Sequence, residues 1–373
     1  PEDVRLLDKT YKGFIRNGAL LGAAEKERIR DIDGELSVLG VQFARNVLHE
    51  TNAYTLHITD REDLQGLPES AIQAAADEAA GRDLEGWVFT LQAPSLMAFL
   101  KYADNRALRQ QIHFAAGSRA FGDNEYNNEE NIRKITALRQ ERAQLLGFAN
   151  HADFVLQERM AGSQKKVTSF LQELLDRAKP FAETEIQELA TLAAKDDIKQ
   201  LMPWDHAYYA EKLREAKYAF SEEDLKPYFP LNQVLQAVFD AAGRLYGLRF
   251  VLREDIERYH PEVNVYEIFE EGEHKALLYT DFHPRKGKRP GAWMTSWRGQ
   301  YRDGAQHVRP HISIVCNFSR PAGDLPSLLT FTEVTTLFHE FGHALHGILA
   351  DTKYESLSGT NVYWDFVELP SQF

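Results

Sequence analysis

One cysteine, Cys316, stands in 373 residues. An internal disulfide is therefore impossible, and no Cys-x-x-Cys pair exists to build a zinc ribbon or a thiol redox site. No apolar run approaches the ~20 residues that a membrane helix needs. No charged segment followed by an apolar core opens the chain, so a secretory leader is not expected. Positive charge is in deficit: 43 Lys and Arg face 56 Asp and Glu, for a formal net charge of −13. Such a surface repels phosphate backbones, which argues against a nucleic-acid partner. No Gly-x-Ser-x-Gly elbow and no phosphate loop occur, so two common hydrolase and nucleotide chemistries drop out. Repeats and low-complexity tracts are also missing. What is left is a globular composition, 43% hydrophobic and 27% charged, long enough for more than one lobe. A cytoplasmic monomer without membrane contact is the expectation.

Most of the chain carries helical periodicity. From Asp3 to about His49 apolar residues recur at three and four positions, through Leu6, Leu7, Phe14, Ile15, Ile29, Ile32, Leu36, Leu39, Phe43 and Val47. Further helices are expected near 69–80, 95–120, 126–147, 164–195, 205–217 and 231–246. Ser221 and Asp224 have capping-box spacing, and Gly147 and Gly162 stand where helices should stop. After residue 248 the texture changes. Leu248–Leu252, Val263–Phe269, Ala276–Phe282 and His311–Phe318 are short and rich in β-branched and aromatic residues, as strands are. Glu271-Gly272 suits a turn between two of them. Helix resumes at about 331. The predicted fold is mainly α, with a helical region over 1–247 and a small sheet plus metal-binding helices over 248–373.

Chemistry concentrates at His339-Glu340-Phe341-Gly342-His343. The motif lies in a helical stretch whose apolar side is marked by Val334, Leu337, Phe338, Phe341, Leu345 and Ile348, with Thr330 and Glu333 at capping-box spacing. Histidines four residues apart on a helix sit about 6 Å apart along the axis and about 40° apart around it. Both imidazoles can then reach one ion at ~2.0–2.1 Å. Glu340, rotated about 100° from the first histidine, can touch a metal-bound water without ligating. That is the place of a general base.

The third ligand decides the class. A metzincin needs Gly and His at positions held here by His346 and Leu349, so that reading fails. A downstream glutamate would give a His₂Glu site with one position open to water. Glu355 would need a tight reversal after the helix. Glu368 lies in the apolar segment Trp364-Asp365-Phe366-Val367-Glu368-Leu369-Pro370, where an unpaired carboxylate would be costly to bury, and it is preferred. His346, two turns above His339, reads as a helix histidine satisfied by backbone or as an outer contact of the site. Asp365 reads as a helix cap or an acceptor for a ligand histidine. The basic run Arg285-Lys286-Gly287-Lys288-Arg289 reads as a solvated loop, and Cys316 as a small buried hydrophobe. Asn317-Phe318-Ser319 fits a glycosylation sequon but follows a predicted buried strand.

The block from His339 to Gly347, with Asp365-Phe366-Val367-Glu368-Leu369-Pro370-Ser371-Gln372 downstream, resembles the M3 family of metallopeptidases, the thimet oligopeptidase, oligopeptidase A and peptidyl-dipeptidase Dcp group. Asp104-Asn105-Arg106-Ala107-Leu108-Arg109, Leu145-Leu146-Gly147-Phe148, Pro203-Trp204-Asp205, Lys226-Pro227-Tyr228-Phe229, His260-Pro261 and Gly291-Ala292-Trp293-Met294 extend the likeness in family order over residues 87–373. The resemblance implies a two-lobed, mostly helical zincin whose deep channel admits short peptides. It also implies one Zn²⁺ held by His339, His343 and Glu368, with Glu340 activating the water. An edge strand beside the metal helix would pair with substrate backbone, and Gly291 and Ala292 leave room for that approach.

The departure from the family is one of extent. Members continue past the glutamate ligand into a glycine-rich loop whose tyrosines and histidine hold substrate and oxyanion. This chain begins at Pro1 without methionine and stops at Phe373. A chain without those donors would bind zinc yet lose rate, since one oxyanion donor is worth ~10²–10³-fold. Within the class, endo-acting oligopeptidase and peptidyl-dipeptidase both remain open, and Leu357-Ser358-Gly359-Thr360-Asn361 leans to the latter. A non-catalytic peptide-binding scaffold is the alternative from another class.

Overall fold

The computed structural model describes residues 1–321 and 326–373. Helices dominate up to residue 246. They are α1 (Glu2–Arg16) and α2 (Ala23–Ala53), a short strand β1 (Leu56–Ile58), α3 (Glu69–Ala80), a second short strand β2 (Trp87–Phe89), then α4 (Ala93–Tyr102), α5 (Arg106–Gly117), α6 (Glu129–Leu145), α7 (His151–Leu156), α8 (Gln164–Ala193), α9 (Pro203–Tyr218), α10 (Glu222–Leu225) and α11 (Leu231–Tyr246). Local chemistry sets many of the boundaries. The predicted helix over 95–120 is in fact two, because Asn105 caps α5 by accepting from the Leu108 N–H at 3.1 Å. Gly147 takes φ +84° just past α6, as a helix stop should. Gly162 does not end a helix; it turns the chain before Ser163, the N-cap of α8.

Strands β3 (Leu248–Leu252), β4 (Asn264–Glu270), β5 (Glu273–Asp281), β6 (Trp293–Arg298), β7 (Tyr301–Asp303), β8 (Gln306–Val308) and β9 (His311–Val315) follow, then α12 (Phe331–Ile348) and α13 (Leu369–Gln372). Glu271 and Gly272 both adopt positive φ, +52° and +88°, and join β4 to β5 as a two-residue hairpin. The main sheet runs β3-β4-β5-β9-β6. Only β5 and β9 pair in parallel, with Leu278 opposite Ile312 and Thr280 opposite Ile314. β6 lies at the edge, antiparallel to β9, with a register break between Ser296 and Arg298 that leaves Trp297 as the extra residue of a bulge.

One face of this sheet makes the core beneath the motif. Ile268, Ala276, Leu278, Ile312 and Ile314 pack against Val234, Val238, Phe239 and Ala242 of α11 and against Val334, Leu337, Phe341, Ala344 and Ile348 of α12. Thus α11, on the helical side of residue 247, shares its core with the sheet. The buried stripe of α12 runs through Ala344 and leaves Phe338 43% exposed, so the helix is rotated slightly from the predicted face. No helix among the described residues is long and apolar enough to cross a membrane.

Candidate metal centre

Three local devices fix α12. Thr330 accepts from the Glu333 N–H at 3.1 Å, and Glu333 accepts from the Thr330 N–H at 2.8 Å, a reciprocal cap. Glu333 also accepts from the Ser319 N–H at 2.8 Å, tying the helix start to the chain leaving β9. At the other end a β-carbon on Gly347 would come within 2.5 Å of Ile312 Cδ1, so the glycine lets the helix lie close on the sheet. With the stripe from Val334 to Ile348 buried, 3.6-residue geometry turns His339 and His343 about 160° away from the core.

The two imidazoles lie nearly perpendicular, with ring centres 5.0 Å apart. Glu368 Oε2 is 3.1 Å from Nε2 of His339 and 3.1 Å from Nε2 of His343. Glu368 arrives there because α13 is pressed onto α12 at Gly342, where a β-carbon would meet Pro370 O and Ser371 Cα, each at 2.6 Å. The Ser371 hydroxyl donates to Glu368 Oε2 at 2.8 Å. Burial works against the Glu368 carboxylate, but Ser371, His343 and His339 outweigh it and lower its pKa. Glu368 is not the buried carboxylate expected from its apolar neighbours. Its side chain is 57% exposed, and Trp364 and Leu369 around it are exposed too, so avoided burial cost is not what places it.

Glu340 is buried beside this cluster. Burial first, and the Glu368 charge second, push its carboxyl up to about 7. Its Oε2 has no hydrogen-bond partner, nor does His343 Nδ1. Two imidazole nitrogens and a carboxylate oxygen within 4.8 Å of one another form the donor set that suits zinc. A buried carboxylate with an idle oxygen beside them is the expected neighbour of a cation and its water. By the chemistry of its donors, the cluster fits a zinc ion.

The other expected residues fall as follows. His346 lines the same cleft as His339 and Glu340. Burial and then His343 lower its pKa, and its Nδ1 lacks a partner, so no backbone group satisfies it there. Asp365 neither caps a helix nor meets a ligand histidine; its carboxylate accepts from the Met160 and Ala161 N–H groups at 3.0 and 2.9 Å. Glu355 accepts from the Gly299 N–H at 2.8 Å, away from the cluster. Ala292 lines the cleft, and Gly291, at φ +95°, leads directly into the edge strand β6.

Three features escaped the sequence reading. β6 itself was not predicted. Asn317 spends both amide hydrogens on Arg289 O and Gly291 O, at 3.0 and 2.6 Å, which anchors the entry to β6. The basic run is a solvated loop only in part: Lys286, Gly287 and Arg289 are exposed, but Arg285 and Lys288 fold onto buried Asp281, at 2.7 and 2.8 Å.

The family model for Peptidase family M3 matches residues 99–373. The chain is 40% identical over 378 residues to Oligopeptidase A of Escherichia coli (strain K12), an alignment covering 99% of this chain and 55% of that protein. It is 37% identical over 378 residues to the Dipeptidyl carboxypeptidase of the same organism, covering 100% of this chain and 55% of the relative. To the Probable cytosolic oligopeptidase A of Arabidopsis thaliana it is 37% identical over 387 residues, covering 99% and 55%. The chain thus spans 55% of the length of each of these three relatives. With the helical fold, the small sheet and a family match over most of its residues, the chain belongs to peptidase family M3.

Proposed function

We propose that this chain carries the catalytic helix and ligand set of a zinc-dependent peptidase that hydrolyses peptide bonds in short peptides. The observation that carries the reading is the convergence of His339, His343 and Glu368 on one point with Glu340 buried alongside. His339 Nε2, His343 Nε2 and Glu368 Oε2 would hold one zinc ion. When bound, the ion would supply Lewis-acid polarisation of the scissile carbonyl and lower the pKa of water. Glu340, which has no protein partner for one oxygen, would take the proton of the attacking water and give it to the leaving amine. The free edge of β6, entered through Gly291 and Ala292, would align an extended peptide backbone.

The names of the relatives support an oligopeptidase or a dipeptidyl carboxypeptidase alike. A cytoplasmic, monomeric enzyme is part of the same proposal; one relative is named cytosolic and another organellar.

The test is metal content by mass spectrometry, with hydrolysis of a quenched fluorescent peptide followed before and after chelation. One zinc per chain with chelator-sensitive cleavage is expected. Zinc without cleavage would favour a peptide-binding role for this span of sequence, which covers only part of its relatives. No metal after zinc addition would sink the site.

A further inference from the structure

The segment between α12 and Glu368 is held from two sides that differ in kind. Beneath it lies the fully buried side chain of Gln300. This donates to Thr352 O at 2.8 Å and accepts from the Thr352 N–H at 2.8 Å and from the Ser358 hydroxyl at 3.3 Å. Gly359 rests on the metal helix, where its β-carbon would fall 3.1 Å from Gly347 Cα.

From outside, the start of α1 reaches across the chain. Glu2 accepts from the Lys353 N–H at 2.7 Å. Asp3 accepts from the Tyr354 hydroxyl at 2.6 Å and pairs with Lys353 Nζ at 2.8 Å. Lys9 Nζ donates to Ser356 O at 2.5 Å and to Asn361 O at 3.3 Å, closing the two ends of the turn that holds Gly359. The Arg5 guanidinium lies 5.4 Å from the Tyr363 ring centre. These hydrogen bonds span 347 to 352 positions of sequence, yet all land in one stretch. That stretch supplies Thr352, Leu357, Gly359 and Val362 to the wall of the cleft that contains His339 and Glu340.

We propose that α1 is a positioning strap: Glu2, Asp3 and Lys9 hold residues 352–363 as one wall of the cleft and so set how a peptide binds, without touching the metal ligands or the reacting atoms. Lys9 is the key residue, since one ammonium satisfies two carbonyls that flank the turn. The ion pair beside it, Asp3 with Lys353, is exposed and weak, whereas Gln300 is buried. Releasing the strap should therefore loosen the wall and leave the sheet and α12 in place. The effect on peptide binding rests on the peptidase reading; the ordering of the wall does not.

The experiment compares the parent protein with Lys9→Met, Lys9→Arg and the double variant Glu2→Gln/Asp3→Asn. Hydrogen exchange is followed in peptides covering 352–363 and 334–347. Exchange over 352–363 should accelerate about tenfold in Lys9→Met and in the double variant, recover in Lys9→Arg, and stay unchanged over 334–347 with one zinc retained. Where the parent cleaves peptide, KM should rise about threefold to tenfold with kcat unchanged. Where it does not, that result bears on the peptidase reading alone, and exchange decides the strap. Unchanged exchange over 352–363, or acceleration spread equally into α12, would overturn the proposal.

Discussion

Gly342 lies face to face with Ser371: a β-carbon on the glycine would sit 2.6 Å from the Ser371 Cα. This contact lets α13 close on α12 and brings Glu368 to the two histidines. Gly342→Ala must push the two backbones apart, at a cost of about 1–3 kcal/mol. Zinc affinity should fall by at least about tenfold, measured by competition with a chelator. Undiminished affinity would mean that Gly342 does not set the position of Glu368.

Glu368 and Glu355 make opposite predictions. Glu368→Ala should lose stoichiometric zinc. Glu355→Ala should keep it and lose only the acceptor of the Gly299 N–H, about 1 kcal/mol of stability. Metal analysis of the two purified variants separates them, and zinc lost from both or from neither would contradict the assignment.

For Glu340→Gln we expect zinc content unchanged and peptide cleavage down by about 10²–10⁴-fold, the usual range for a general base. The substitution keeps the shape of the side chain and removes its basicity. Cleavage at the parental rate would remove Glu340 from the proposed mechanism.

Asp281 offers a pH test at a carboxylate outside the His339, His343 and Glu368 cluster. It is buried and accepts from Arg285 twice at 2.7 Å, from Lys288 at 2.8 Å and from the Tyr259 hydroxyl at 2.9 Å. Burial raises its pKa, but Arg285 and Lys288 outweigh that and hold it at about 2. Burial lowers the Lys288 pKa despite the same pairing; all three of its ammonium hydrogens are bonded, but two go to the Asp281 and His283 carbonyls and only one to the carboxylate. A depressed carboxyl stabilises the fold above its unfolded pKa of about 3.9 and loses that contribution as pH falls towards 2, a span worth about 2–3 kcal/mol. Asp281→Asn should lower the melting temperature at pH 7, because it leaves Lys288 and Arg285 without their anion. It should also flatten the acid limb between pH 4 and 2. A parental acid limb in the variant would show that other carboxylates govern it.

Much of this was legible in the sequence because strong periodicity and turn chemistry agreed. α11 and β3 begin and end at Leu231–Tyr246 and Leu248–Leu252, and Glu271-Gly272 makes the hairpin turn that its composition suggested. β6 was hidden because an edge strand needs no continuous apolar face; Thr295, Ser296 and Arg298 are polar and Trp297 sits at a bulge. Asn105 could have divided the long helix read over 95–120, since a capping residue stood in plain view. The four-residue spacing of His339 and His343 shows that both face one way. The approach of Glu368 depends on a backbone contact at Gly342 that no local pattern encodes. The basic loop was misjudged for a different reason: its counterion, Asp281, stands only four residues before Arg285 and seven before Lys288, within reach of a local reading that looked at the basic run alone.

The strand order gives the cleft a history. β6 is made directly after β5 but does not pair with it; β9 must first insert between them. A growing polypeptide that has emerged only as far as β6 therefore has no completed border to offer a peptide. β9 and α12 then follow one another in the chain. The strand that completes the border and the helix that bears the histidines are synthesised in succession and fold onto each other. On the proposed reading, the edge that would align a peptide and the two histidines thereby mature together, ahead of Glu368 and of the contacts that α1 makes with residues 353–361.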